Sequence, residues 1–349
     1  MLAGLAGVVP MGSWAAHLTA HGNLQVYGFV VLFTMGIALL VVPRLTGRAL
    51  QHPALARGAL VATAAGTLAA AFGLALPGAV LKVAGVVLFA AALRARPDGL
   101  TVGPSARVAS HLLFTLSGTV WLALAAALSA LRPGDPGPLE LVLWGFATLY
   151  VMGVGLLAHP RIMSLPEPSL GLARAAALTW NLSLALRLAH LALPAALAAL
   201  AGAGLFLWAL RPFRRPGPGA LAPAWLTAHI QLSYAWLVVV CLLEVAAAAG
   251  LASLQTPLRH GLAVGFLLTM MTGMAYRIVP AHLGAPLPWP WLPWASLVLL
   301  QGGTGLRLAA QAASWKLAML AGGAAQFVAL LAFAAGLWLA LGRSPRRPS

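Results

Sequence analysis

The chain has 349 residues, of which 61% are hydrophobic and only 7% charged, with a mean hydropathy of +0.93. No water-soluble domain can carry that composition on its surface, so the sequence is that of a polytopic integral membrane protein. The formal charge of +16 comes from Lys and Arg scattered one to three at a time between apolar runs, an arrangement that suits short membrane loops and excludes a nucleic-acid-binding face.

Residues 1–16 lack both a basic start and a sustained apolar core, so no cleavable signal is expected. The apolar runs then predict spans at about 21–43, 55–76, 78–94, 105–131, 138–160, 170–187, 191–211, 222–250, 258–281, 289–309 and 315–341. That is eleven helices, within a range of ten to twelve, in a single all-α transmembrane domain over 1–349. Strands are excluded because the runs are continuous and Ala/Leu-rich, without the alternation of a transmembrane barrel. Cys241, the one cysteine, lies inside an apolar run, so neither a disulfide framework nor covalent haem attachment is expected.

Three of these spans share a plan. Gly28-Phe29, Gly36 and Pro43 recur as Gly145-Phe146, Gly153 and Pro160, and again as Gly265-Phe266, Gly273 and Pro280, with identical internal offsets and starts 117 and then 120 residues apart. The spacing predicts three diverged four-helix repeats, about 21–131, 138–250 and 258–341, the last one lacking its fourth helix. His111 and His229, 118 residues apart on the fourth and eighth spans, fit the same period. With the N-terminus outside and the C-terminus in the cytoplasm, fifteen of the twenty-one Lys and Arg fall on the inner side, which predicts that orientation in the cytoplasmic (inner) membrane.

The nine histidines sort by depth. His52 is expected in solvent, and His159 and His282 at helix ends, where an imidazolium suits the dipole. Each of His111 and His229 either bonds a neighbouring helix or serves as a ligand. On the outer side, His17 and His21 are four apart and share a face with Gly28 and Gly36, while His260 heads the third copy. Imidazoles so placed are candidate ligands for haem iron or copper, and the glycines would admit a flat macrocycle or another helix.

The run from His260, HGLAVGFLLTMMTGMAYRIVPAHLGAPL, resembles the signature segment of the NnrS family of haem- and copper-containing membrane proteins. His260, Gly265, Met270, Met271, Arg277, His282 and Gly284 occupy its places, and Tyr234 and Trp236 resemble the family's preceding span. The first repeat matches more loosely, with His21, Asn23, Leu24 and Gln25 where the family has His-x-His-Glu-Met. The repeat plan is also similar to that of haem-copper oxidase subunit I, whose low-spin haem ligands would correspond to His21 and His260. The resemblance implies b-type haem held by His21 and His260; the placement of the histidines along the helices adds His17 as a further candidate, and His111 and His229 as metal ligands if they are not hydrogen-bonded instead. It also implies a role in the nitric oxide stress response, with nitric oxide or a small redox partner, besides lipid, as what the protein meets. The oxidases' copper ligand set is incomplete here, so oxygen reduction is not expected, although copper itself stays open. Two other readings remain: a histidine-lined transporter or permease, and a non-catalytic subunit of a respiratory membrane complex.

Overall fold

The structure is a computed structural model that describes residues 14–46, 50, 52–93, 106–132, 135, 137–251 and 255–343. Among them are eleven long helices and no strand: α1 (14–46), α2 (Pro53–Ala71), α3 (Ala75–Leu93), α4 (Ala106–Leu131), α5 (137–162), α6 (Leu170–Leu188), α7 (Ala192–Leu210), α8 (Ala224–Ala248), α9 (255–283), α10 (Leu292–Ala312) and α11 (Lys316–Gly342). All eleven expected spans are present, and nine of these helices are long and apolar enough to cross a membrane. The other two, α6 and α10, are interrupted by polar side chains, Arg174, Asn181 and Arg187 in one and Gln301, Arg307 and Gln311 in the other.

Each Gly-Phe pair sits in a widened π-helical turn, Val26–Val31 in α1, Leu141–Ala147 in α5 and Gly261–Leu268 in α9. The first residue beyond each turn, Leu32, Thr148 or Thr269, donates its N–H to the carbonyl five residues back, on Tyr27, Leu143 or Val264. In α5 and α9 the threonine hydroxyl also donates to that carbonyl, at 2.8 and 3.0 Å. A π turn holds one residue more than an α turn, and the hydroxyl secures the stretched bond where no water can. Beyond each turn runs a 15-residue α-helix that carries the third member of the pattern, Pro43, Pro160 or Pro280.

The chain divides into two compact units, 1–154 and 155–349, the boundary falling within α5. In the first unit, α2 and α3 form a hairpin packed backbone to backbone: a Cβ on Gly66 would lie 2.6 Å from the Gly78 carbonyl oxygen. Thr63 of α2 donates to Met35 Sδ of α1, and Phe89 of α3 packs against Phe146 and Tyr150 of α5. In the second unit, α10 and α11 close on each other at Gly303 and Gly322, where a Cβ on either would meet the other's carbonyl at 2.7 Å. There α6 and α7 close at Gly202 against the Trp180 backbone. Within lipid, where apolar burial gives helices no reason to associate, such small-residue contacts supply the packing.

Candidate functional site, the buried polar side chains of the helices

The polar groups that matter are those that a membrane interior makes costly. In the first unit, Lys82 on α3 is only 2% exposed. Its ammonium donates to Asn23 Oδ1 of α1 at 2.6 Å and lies 4.0 Å from the centroid of the Tyr27 ring. Asn23 in turn donates from Nδ2 to the Thr19 carbonyl, which fixes its amide oxygen towards the lysine. Both partners favour the charged amine, one by accepting from it and the other through its ring quadrupole. Asn23 stands five residues before its Gly-Phe pair, as His260 does in the third copy. Two residues away, His21 is exposed, and His17 is half-buried.

His111, also in the first unit, is fully buried on α4. Its ring faces the Gly153 backbone, but neither ring nitrogen meets hydrogen-bonding geometry with a neighbour. A Cβ on Gly153 would run into Phe114 at 2.9 Å, so this pattern glycine admits α4.

The counterpart in the second unit is more ordered. His229 on α8 is fully buried, and its Nδ1 lies 2.7 Å from the Trp225 carbonyl oxygen. A carbonyl only accepts, so Nδ1 carries the hydrogen and Nε2 keeps its lone pair. That Nε2 is buried with no hydrogen-bond partner, and so is Ser233 Oγ one turn further along α8. A Cβ on Gly273 of α9 would fall 2.5 to 2.9 Å from His229 Cβ, Cγ and Cδ2. Gly153 and Gly273 therefore each admit a neighbouring helix. Gly36 has nothing within 4 Å of its would-be Cβ.

His260 is half-exposed at the start of the α9 π turn. Behind that turn runs a hydrogen-bonded chain: Trp236 Nε1 donates to Gln301 Oε1, and Gln301 Nε2 donates to Thr269 Oγ1 at 2.7 Å. The Trp236 ring covers Gly265, which explains why no larger residue stands there. Arg187 of α6 pairs with Glu244 of α8.

His159 departs from the expected cap. Although it lies in the last turn of α5, its ring is buried and its Nδ1 shares a 3.3 Å hydrogen bond with the Tyr234 hydroxyl of α8. His52 and His282 are exposed, as expected of a solvated residue and a helix-end residue. Among the described residues no three His, Cys, Asp or Glu come together as a metal-binding group. The Lys82–Asn23 pair escapes a search for histidines, yet both signals were in the sequence: a lysine in an apolar run, and an asparagine in the register of His260.

The family model described as NnrS protein matches residues 1–344. No curated protein matches the chain.

Proposed function

Because the chain belongs to the NnrS family, we propose that it is a haem-binding multi-pass membrane protein acting in the cell's response to nitric oxide. The observation that carries this reading is His229, whose Nδ1 is tied to a carbonyl while Nε2 is buried and bare. Metal-bound histidines have that arrangement, because the bond at one nitrogen fixes the tautomer and orients the other. An uncompensated imidazole nitrogen inside a membrane also costs free energy that a ligand would offset. His111, in the matching place of the first unit, is a second candidate.

The donor set favours haem over a bare copper ion. Copper needs several protein ligands in one place, whereas a porphyrin brings four nitrogens and asks the protein for one or two. Single imidazoles on separate helices, His229, His111, His260 and His21, suit the second requirement. Bound haem would supply an iron that takes a diatomic gas or passes an electron. The protein's own residues hold it, exclude water from it and fix which imidazole nitrogen faces it. In this reading the N-terminus faces outside and the C-terminus the cytoplasm, consistent with the Lys and Arg distribution.

The intramembrane Lys82 is the observation that favours a permease instead. Haem-replete expression followed by reduced-minus-oxidised spectra separates the two. Wild type should show a Soret band, and His229→Ala should lose most of it. His111→Ala, His260→Ala and His21→Ala show which other imidazoles contribute. A folded wild type without a Soret band, or four variants with an undiminished one, overturns the haem reading.

A further inference from the structure

The chain has four tyrosines, and the helices bury all of them. They differ in what faces the phenol. Tyr150 bonds the Thr119 hydroxyl at 2.8 Å, and Tyr276 bonds the Ser296 hydroxyl at 2.7 Å. Tyr27 has the Ser129 hydroxyl nearby but no partner in hydrogen-bonding geometry. Only Tyr234 faces an imidazole, with its hydroxyl 3.3 Å from His159 Nδ1. A serine or threonine hydroxyl cannot hold an extra proton; an imidazole can.

That difference decides which phenol can lose an electron. A tyrosine oxidised without losing its proton becomes a radical cation, an acid far stronger than any neighbouring side chain, so the proton leaves along its hydrogen bond as the electron goes, provided that a base stands there to take it. We propose that Tyr234 is a redox-active tyrosine and His159 the base that takes its proton. In the step, the Tyr234 O–H bond breaks and an N–H bond forms at His159 Nδ1. One electron passes to a one-electron oxidant of high potential, a metal centre in the cell, which is reduced. The pair becomes a neutral phenoxyl radical beside an imidazolium, and return of the electron returns the proton. Before oxidation, the phenol donates to Nδ1 and the imidazole carries its hydrogen on Nε2.

The surroundings fit such a centre. Phe206 and Phe266 lie with ring centroids 5.7 and 6.0 Å from Tyr234, and the His159 ring meets it edge-on at 5.7 Å. Tyr234 is 0% and His159 2% exposed, so a radical there is shielded from water and from solutes that would quench it. Gly155 acts as a positioning residue, because a Cβ at that place would lie 2.6 Å from the Tyr234 hydroxyl and push it off the imidazole.

The test supplies its own oxidant and does not depend on haem. Purified protein in detergent is oxidised with photogenerated tris(bipyridine)ruthenium(III), with persulfate as electron acceptor, then frozen and examined by electron paramagnetic resonance. Wild type should give a tyrosyl signal that Tyr234→Phe abolishes and that Tyr150→Phe and Tyr276→Phe retain. His159→Phe should slow radical formation by about a hundredfold, the lower end of what a positioned base contributes. Gly155→Ala should lower the yield in the same direction. In wild type carrying 15N-histidine, the radical should show hyperfine coupling to a histidine nitrogen, a reading that needs no variant to fold. A wild type without a tyrosyl signal, an unchanged signal in Tyr234→Phe, or a radical without nitrogen coupling would each overturn the assignment.

Discussion

The two units bury positive charge in opposite ways. In the first, Lys82 meets no carboxylate among the described residues and is held by an amide oxygen and the face of a ring. In the second, Arg187 is matched by Glu244, with 17% and 11% of the two side chains exposed. The chain has only five acidic residues, so counter-ions are scarce and the first unit manages with neutral groups. The lesson is that depth does not measure fragility: what counts is what a lost side chain leaves behind. A stranded carboxylate is far more costly than a stranded amide.

The sharpest way to break this comparison is to remove each cation. Arg187→Met takes away the cation paired with Glu244 and should lower stability by about 3 kcal/mol, the low end for a broken buried pair because this one is partly exposed. Lys82→Met leaves the Asn23 amide oxygen without the ammonium and should cost about 1 kcal/mol, although Lys82 lies deeper. Thermal unfolding in detergent compares them directly, and a larger loss in the lysine variant would reverse the conclusion. The same logic applies to the pattern glycines. Gly273→Ala drives a methyl into His229 and should cost about 2 kcal/mol, whereas Gly36→Ala meets open space and should cost about nothing. The smallest effect separates the threonines: Thr269→Val leaves Gln301 Nε2 without its acceptor and removes one of two donors to the π-turn carbonyl, and should cost about 1 kcal/mol, while Thr148→Val removes one such donor alone and should cost about half that.

The sequence made the helices legible because membrane spans are read from composition and length, which need no partner. It also marked the three Gly-Phe segments, whose shared offsets became shared π turns. It could not give the state of each imidazole, since that depends on a second helix. His159 stands beside a proline at a helix end, as a cap would, and only the approach of α8 turns its ring towards Tyr234. His111 and His229 are alike in sequence register, yet the His229 Nδ1 meets a carbonyl in hydrogen-bonding geometry and neither His111 nitrogen does. Gly28 and Gly36, expected to admit a macrocycle or a helix, differ in a way that one dimension does not show: a Cβ on Gly28 would touch Thr67 of α2 at 3.5 Å, and one on Gly36 would meet nothing within 4 Å.

The π turns also act as gears. One extra residue advances a helix by about 100°, so everything upstream of a π turn is rotated by that amount relative to everything beyond it. Counting 3.6 residues per turn straight through Gly28 therefore misjudges where His21 and Asn23 point relative to Gly36, and the same holds for His260 relative to Gly273. Deleting one residue from Val26–Val31 would let that turn relax to an α-helix and swing the start of α1 by about 100°. Asn23 would then leave Lys82, and His21 would face a new direction. A single codon in each copy thus sets which side chain the head of the helix presents, without altering a residue beyond the turn.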